Sequence, residues 1–368
     1  MTPHSAPSRR TVAKGALLGA AAVLFGASAA GAAEGPAALR LPAPTGPHPV
    51  GLRTFHLTDP GRDDPWQPGP RELMISVLYP ARTVRGCPRV PQLTPDEADA
   101  FSELAPYMHP GLPAAGVDWG AVLTHGHRDA PPLPGRRPVL LYTPGGGDSR
   151  TLSTTLAEDL ASHGRVVVLV DHPGDASQVE LPSGVRRTVL MGPPDPATVR
   201  TMIDTRVADL RFLLDRLGDL PLAPVMDLRR IGVYGHSAGG TAAVHALASD
   251  DRIAAGVNLE GYLDFDPELM ARLDRPLLMF RTDGFEESAR LERSWAGIPA
   301  RRVLLPDANH WIFSDYAHLV PRLQAAGLVT AGVRAALVGA GDTGAATAVV
   351  RHGLRSFFAR RLPAAARR

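Results

Sequence analysis

Short apolar segments alternate with amphipathic segments from about residue 50 onward. The apolar segments are continuous runs rich in valine, isoleucine and leucine, a composition typical of strands that are buried on both faces of a sheet. The pattern predicts strands at 73–79, 138–142, 165–170, 230–234, 253–259, 276–280 and 302–305.

Helical periodicity fills the gaps between several of these strands. Residues 197–217 carry apolar side chains every three or four positions, opposite a polar face that includes Arg200 and Asp204. A similar pattern at 345–362 predicts a last helix with Leu354 and Phe358 on its buried side. Strands alternating with helices predict an α/β fold, in which helices cover both faces of a mostly parallel sheet and ligands bind at the carboxyl ends of the strands.

One catalytic domain is expected over residues 51–362. Residues 34–50 are predicted to form an extended lead-in, and residues 363–368 form a basic tail. Residues 86–136 are rich in proline and have a helical pattern near 96–104, so they are predicted to be an insertion beside the active-site crevice.

The amino terminus has the pattern of an export signal. Arg9 and Arg10 precede a weakly hydrophobic stretch of alanine, glycine and leucine, and small residues follow around 27–33. This twin-arginine pattern predicts that residues 1–33 are a signal peptide and that the protein is secreted or otherwise extracytoplasmic. The alternative is a membrane anchor, which is disfavoured because alanine and glycine bury little apolar area.

Cysteine and lysine usage excludes several classes of site. Cys87 is the only cysteine, so the chain has no internal disulfide, no CxxC redox pair and no thiolate metal cage. Lys14 is the only lysine and lies in the predicted signal, which excludes Schiff-base, P-loop and Ser-Lys chemistry from the mature chain. Removing residues 1–33 leaves 36 basic against 37 acidic residues, with no basic patch that would indicate nucleic-acid binding.

The pentapeptide GHSAG at 235–239 fits the pattern G-x-S-x-G, directly after a predicted strand and before a helical pattern. A serine on such a corner has a strained backbone, and side chains two positions to either side would collide with the strand and the helix. Ser237 is therefore the candidate nucleophile, and the alternative is a structural turn without chemistry.

A serine nucleophile needs a base, and the base needs an acid that orients it. On this topology the chain order is serine, acid, histidine. His310 follows a predicted strand on a loop, so it is the candidate base. The other downstream histidines lie in helical patterns: His245, His318 and His352.

Two carboxylates could be the acid, because Glu260 and Asp283 each follow the end of a strand between nucleophile and base. Topology favours Asp283, although an aspartate before a glycine is also ordinary turn chemistry.

The oxyanion that forms during acyl transfer needs two N–H donors. The amide of Ala238 is the first candidate. The second is Gly146, in the glycine run PGGG at 144–147 that follows the strand 138–142. Phosphate binding by this run is disfavoured, because it has neither a lysine nor GxGxxG spacing.

The chain resembles the plasma-type platelet-activating factor acetylhydrolases, also called lipoprotein-associated phospholipases, within the α/β-hydrolase superfamily. The resemblance covers about residues 50–360, and its most specific part is the glycine run with the helix after it. The matching stretches are VLYPA (77–81), TPGGGDSRTLSTTLAEDLASHGRVVVLVDHPGD (143–175), GHSAGG (235–240), DDRIAAGVNLEGYL (250–263) and NHWIFSDY (309–316).

The resemblance implies calcium-independent ester hydrolysis by a Ser-Asp-His triad. It places the nucleophile on Ser237, the base on His310 and the acid on Glu260, where glutamate replaces the expected aspartate; this departure keeps Asp283 as the alternative acid. The resemblance also implies that the insertion lines an acyl or lipid-facing pocket, although the same side chains would serve equally well in loop packing. The candidates for that lining are Phe101, Leu104, Tyr107 and Met108.

The sequence thus predicts an exported serine esterase or lipase that cleaves small-molecule or lipid esters through an acyl-enzyme. No metal ion, organic cofactor, nucleic acid or specific protein partner is expected, and peripheral contact with lipid is compatible with the substrate class. One alternative is a ligand-binding protein on a hydrolase scaffold that no longer turns over. Within enzymes, an amidase or a polyesterase is a further alternative.

Overall fold

The computed structural model describes residues 39–192 and 194–363. The predicted signal peptide, residues 34–38 of the lead-in and residues 364–368 of the basic tail lie outside the described residues. The strands are β1 (Val50–Asp63), β2 (Pro70–Pro80), β3 (Arg89–Pro91), β4 (Leu123–Arg128), β5 (Arg137–Thr143), β6 (Val166–Val170), β7 (Gln178–Leu181), β8 (Gly184–Arg187), β9 (Met226–His236), β10 (Ile253–Leu259), β11 (Leu277–Thr282) and β12 (Arg301–Leu305).

The central sheet has ten strands in the order β12-β11-β10-β9-β5-β6-β2-β1-β4-β3, and β7 and β8 form a separate hairpin. From β12 to β6 every neighbouring pair is parallel. β2 is antiparallel to both of its neighbours, β6 and β1. The predicted mostly parallel sheet is therefore confirmed, and all seven predicted strands belong to it.

Helices cover both faces of this sheet. Along β5, Val139 and Leu141 pack into one core with the helices at 196–216 and 238–249, whereas Leu140 and Tyr142 pack into a second core with the helices at 154–162, 316–325 and 343–361. This alternation is the period-2 geometry of a strand that is buried on both sides. The helices are α1 (Pro95–Met108), α2 (Thr154–Ser162), α3 (Pro196–Arg216), α4 (Ala238–Ser249), α5 (Pro267–Ala271), α6 (Ser288–Ser294), α7 (Tyr316–Ala325), α8 (Ala331–Val338) and α9 (Thr343–Arg361).

Residues 86–136 form more than the predicted insertion. They include β4, which pairs in parallel with β1, and β3, which pairs with β4, so part of this segment extends the edge of the sheet. The same segment also contributes α1, whose last residue lies against the glycine run after β5: a Cβ atom on Gly147 would fall 2.1 Å from Cε of Met108.

Strand β1 is a second difference from the sequence prediction, which gave no strand there. Its first residues, Val50 and Gly51, are buried, but from Arg53 onward most of its positions are half-buried or exposed. A strand with one face partly open to solvent carries many polar side chains, and β1 therefore lacks the continuous apolar run by which the central strands were recognised.

Candidate active site

Ser237 occupies a sharp turn between β9, which ends at His236, and α4, which begins at Ala238. Its backbone has φ 54° and ψ −123°, a left-handed conformation that is strained for a residue with a side chain. The turn is fixed by two hydrogen bonds: the Ser237 N–H donates to the Leu259 carbonyl at 2.9 Å, and the Ser237 carbonyl accepts from the Thr241 N–H at 3.0 Å. The serine thus lies on a strand-to-helix corner, as its sequence context predicts.

The two glycines of the pentapeptide are needed for steric reasons. A Cβ atom on Gly235 would lie 2.3 Å from the Gly239 carbonyl oxygen. A Cβ atom on Gly239 would lie 2.1 Å from the carbonyl oxygen of Thr143, at the end of β5. Both distances are far below van der Waals contact, so a side chain at Gly235 would force the corner itself apart, and one at Gly239 would push it away from the end of β5.

Glu260 is the carboxylate that contacts His310. Its Oε2 accepts a hydrogen bond from Nδ1 of His310 at 2.9 Å. Its Oε1 accepts from the N–H of Thr282 at 2.5 Å and from Thr282 Oγ1 at 2.9 Å. The residue is 1% exposed and has φ 61°. Both carboxylate oxygens are therefore held, and the imidazole is oriented by a buried acid.

Asp283, the other candidate acid, is exposed and is not hydrogen-bonded to His310. The strand register explains why. β10 lies directly beside β9, with Leu259 opposite His236, so Glu260 is level with Ser237 on the neighbouring strand. Asp283 follows β11, which is one strand further from the nucleophile.

His310 begins a short 3-10 turn in the loop after β12. The ring of Phe285 stacks on its imidazole with the ring centroids 4.3 Å apart and the planes inclined by 15°. Because Nδ1 is engaged by Glu260, Nε2 is the nitrogen left to take a proton. His310 and the Ser237 hydroxyl are not hydrogen-bonded in this structure; in substrate-free enzymes such bonds are often long and tighten when substrate binds.

His236 connects the nucleophile corner to the histidine loop. Its ring is buried, and its Nε2 donates a hydrogen bond to the backbone carbonyl of His310 at 2.9 Å. The two imidazole centroids are 4.6 Å apart. Burial, with the neighbouring His310 ring, holds the pKa of His236 well below its usual range, so this ring is neutral. His236 therefore has a structural hydrogen-bonding position next to Ser237.

The candidate oxyanion donors lie side by side. A Cβ atom on Gly146 would be 3.7 Å from the Cβ of Ala238. Among the described residues, neither the Gly146 N–H nor the Ala238 N–H donates to another protein group. Ala238 is the first residue of α4, where backbone N–H groups have no partner within the helix. Two free donors beside a strained serine are the arrangement that stabilises an anionic oxygen.

Sequence reasoning missed Arg206 and Asp175, which hold the glycine run from behind. Arg206 belongs to α3, is fully buried, and donates to the carbonyl oxygens of Pro144 at 2.5 Å and Gly145 at 3.0 Å. Its Nε also donates to Asp175 at 2.5 Å, and Asp175 accepts the Gly147 N–H at 3.2 Å. The signal in the sequence was a charged residue on the buried stripe of α3, three positions after Ile203.

A second buried ion pair continues this polar layer. Asp209 accepts hydrogen bonds from Arg71, at 2.7 Å, and from Nδ1 of His172, at 2.8 Å. Burial alone would raise the pKa of Asp209, but Arg71 and His172 outweigh it and the pKa is lowered. Burial lowers the pKa of His172 to about 4, so its neutral Nε2 accepts a hydrogen bond from Thr143 Oγ1 at 2.8 Å. The end of β5, from which the glycine run starts, is thus anchored.

The candidate pocket residues of α1 have different surroundings. Phe101 is 1% exposed and packs edge-on against Trp119, with the ring centroids 4.9 Å apart, and Leu104 is also buried in the core. These two side chains therefore have a packing position, the alternative that the sequence left open. Tyr107 is 73% exposed at the surface. Of the four, Met108 approaches the glycine run.

The described residues contain neither a metal-binding cluster nor a membrane-spanning helix. No group of three or more His, Cys, Asp or Glu side chains in residues 39–192 and 194–363 is arranged to hold a metal ion. Within the same ranges, every helix is too short or too polar to traverse a bilayer.

No protein-family model matches the chain. The chain is similar to the structure of a ferulic acid esterase from Streptomyces cinnamoneus, with a TM-score of 0.76 and 32% identity over 89% of this chain and 94% of that chain. The chain belongs to the α/β-hydrolase esterases. Curated relatives of this α/β-hydrolase have names that agree with the family resemblance of its sequence motifs.

One relative is a probable 1-alkyl-2-acetylglycerophosphocholine esterase of Arthroderma benhamiae, 33% identical over 62% of this chain and 60% of that protein. Another is the platelet-activating factor acetylhydrolase of Canis lupus familiaris, 23% identical over 54% of this chain and 53% of that protein. The resemblance found in the sequence is therefore confirmed. The α/β-hydrolase matches between about half and three-fifths of the length of these relatives.

Proposed function

We propose that this α/β-hydrolase cleaves carboxylic esters with Ser237 as the nucleophile, His310 as the base and Glu260 as the acid. The observation that carries the proposal is the 2.9 Å hydrogen bond between Glu260 and His310, formed on the strand next to a serine with φ 54°. A buried carboxylate that orients an imidazole beside a strained serine is the arrangement that activates a hydroxyl for acyl transfer.

In the proposed reaction each of these groups has one role. His310 Nε2 takes the proton of the Ser237 hydroxyl as the oxygen attacks the ester carbonyl, and Glu260 stabilises the imidazolium that forms. The N–H groups of Gly146 and Ala238 donate to the oxyanion of the tetrahedral intermediate. His310 then gives the proton to the departing alkoxide, which leaves as an alcohol. Water repeats the sequence on the acyl-enzyme and releases the carboxylic acid.

The substrate class is proposed from the names of the relatives. One is named as an esterase of 1-alkyl-2-acetylglycerophosphocholine and another as a platelet-activating factor acetylhydrolase, so a lipid ester with a short acyl chain is the first candidate. The ferulic acid esterase aligns with this chain over 94% of its own length, and its name favours an aromatic ester as the second candidate. Peripheral contact with lipid is part of the first proposal only.

A substrate panel tests the activity. Initial rates would be measured with wild type and Ser237→Ala. The substrates are p-nitrophenyl acetate, p-nitrophenyl dodecanoate, methyl ferulate, a short-chain oxidised phosphatidylcholine, and the p-nitroanilide that has the same acyl group as p-nitrophenyl acetate. We expect hydrolysis of at least one ester class by wild type and none above background by Ser237→Ala. Preference for the anilide would indicate an amidase, and ligand binding without turnover of any substrate would indicate a binding protein on a hydrolase scaffold.

We also propose that the protein is exported by the twin-arginine route, on the basis of Arg9 and Arg10 ahead of the weakly hydrophobic stretch. The test compares wild type with Arg9→Lys/Arg10→Lys in a host that has this pathway. Activity outside the cytoplasm is expected for wild type, and intracellular retention for the variant. Equal export of both proteins would contradict the route.

A further inference from the structure

Arg206 makes its shorter hydrogen bonds with the segment 144–147 and with the carboxylate that binds the same segment, and one longer contact, at 3.4 Å, with Oγ1 of Thr143. Its two terminal nitrogens donate to the carbonyl oxygens of Pro144 and Gly145, and its Nε donates to Asp175. The side chain is fully buried although it carries a charge. A buried arginine in this setting either stabilises the fold or positions groups of the active site. The peptide between Gly145 and Gly146, which Arg206 contacts, favours the second role.

The carbonyl of Gly145 and the N–H of Gly146 belong to one planar peptide group. Arg206 holds the carbonyl end at 3.0 Å, and the N–H of Asp148 donates to the same oxygen at 3.2 Å, so together they fix the direction in which the N–H end points. A charged donor on the carbonyl also polarises the peptide and strengthens the hydrogen bond that its N–H makes on the opposite side, since hydrogen bonds in series reinforce one another. The N–H end is the candidate oxyanion donor.

Asp175 completes the arrangement on the next peptide. It accepts the Gly147 N–H at 3.2 Å while it pairs with Arg206 at 2.5 Å. Gly147 has φ 78°, a conformation that reverses the chain after the donor. The carbonyl oxygens of Pro144 and Gly145 and the N–H of Gly147 are thus all held by one ion pair, whereas the N–H of Gly146 has no partner among the described residues.

We propose that Arg206, with Asp175 as its counter-ion, is the positioning residue of the oxyanion hole. It does not contact substrate; it fixes and polarises the peptide that does. This inference rests on the proposed ester hydrolysis, and it concerns the transition state rather than substrate binding. Loss of Arg206 should therefore lower kcat and leave KM almost unchanged.

The test uses Arg206→Lys, which keeps the charge but cannot donate to both carbonyls and Asp175 in the same planar geometry. Arg206→Gln/Asp175→Asn removes both charges together, so that neither is left buried and unpaired. Arg216→Gln is the matched control, because Arg216 lies on the same helix but is exposed and pairs with Asp219. For each protein we would measure kcat and KM on the best ester, the melting temperature, and the Ki of an alkylboronic acid that forms a tetrahedral anionic adduct with the serine.

We expect kcat to fall by about 10- to 100-fold in Arg206→Lys and by about 100- to 1,000-fold in the double variant, with KM within about threefold of wild type. The Ki of the boronic acid should rise by the same factors, whereas a purely structural role would change the melting temperature without this parallel. The control should match wild type. If the double variant does not fold, Arg206→Lys alone decides the question.

Two outcomes overturn the inference while the proposed function stands: wild-type kcat in both Arg206 variants, or a loss of kcat without any change in boronic acid affinity. If wild type itself hydrolyses no ester and its serine forms no adduct, the proposed function fails and this inference fails with it.

Discussion

The carboxylate of Glu260 accepts a hydrogen bond from Nδ1 of His310 at 2.9 Å, while Thr282 donates twice to its other oxygen. The register of β10 against β9 places Glu260 level with Ser237, so the acid reaches the imidazole from the strand next to the nucleophile. The two Thr282 hydrogen bonds hold the carboxylate of the glutamate in place.

Replacing the acid should abolish most of the activity. Glu260→Gln keeps the size of the side chain but removes the negative charge and places an amide opposite Nδ1, so the imidazole loses its orienting partner. We expect kcat/KM on an ester to fall by about 10³- to 10⁴-fold. Asp283→Asn, at an exposed position, is the control and should stay within about twofold of wild type. The reverse pattern would assign the acid to Asp283.

The length of the acid should matter as well as its charge. Glu260→Asp keeps the carboxylate but shortens it by one methylene, so it cannot contact His310 and Thr282 at the same time. Aspartate tolerates a positive φ better than glutamate, so the backbone is not strained further by the change. We expect kcat to fall by about 100-fold, the cost of a displacement of about 1 Å in a catalytic site. Wild-type kcat would show that Thr282 does not set the position of the acid.

Glu158 should make the stability of the protein depend on pH. Burial and the nearby Asp315 raise the pKa of Glu158 to about 8, whereas an unfolded glutamate has a pKa near 4.5. Between these values the folded state holds a proton that the unfolded state has lost, so stability falls as pH rises through this window. Asp171 and Asp315, each with a pKa of about 6, act in the same direction. Buried histidines with lowered pKa values, such as His172 and His318, act in the opposite direction near pH 6.5, so a comparison with a variant that lacks this carboxyl is needed to isolate Glu158.

Glu158→Gln should remove this dependence, because the amide stays neutral and its oxygen can still accept from the N–H groups of His125 and Gly126. From pH 6.5 to 8 the free energy of unfolding of wild type should fall relative to the variant by up to about 1.4 kcal/mol per pH unit. Urea unfolding at several pH values measures it, with the exposed Glu103→Gln as a control that follows wild type. Parallel curves for wild type and Glu158→Gln would refute the assignment.

The sequence predicted those parts of the structure that depend on local pattern. The central strands are buried on both faces, so their apolar runs are continuous, and each of them is present in the sheet. The nucleophile corner was predictable because two glycines are sterically required within five residues. Strand β1 was missed because most of its length is only half-buried and its composition is mixed.

The parts that could not be predicted depend on which elements become neighbours. Glu260 and Asp283 both follow strands, and only the order of β10 and β11 in the sheet decides which of them reaches His310. Arg206 is 61 residues from the carbonyl of Gly145 that it holds, and no local pattern links the two. Phe101 and Met108 share one helix, yet one faces the core and the other faces the glycine run.

The most direct test of the central claim is covalent labelling of Ser237. Wild type, Ser237→Ala and His310→Gln would be incubated with a fluorophosphonate, and the adduct would be measured by intact mass and mapped by peptide digestion. The account predicts one adduct per chain on Ser237 in wild type, none in Ser237→Ala, and labelling slowed by several orders of magnitude in His310→Gln. An adduct on another residue, or equal rates in wild type and His310→Gln, would contradict it.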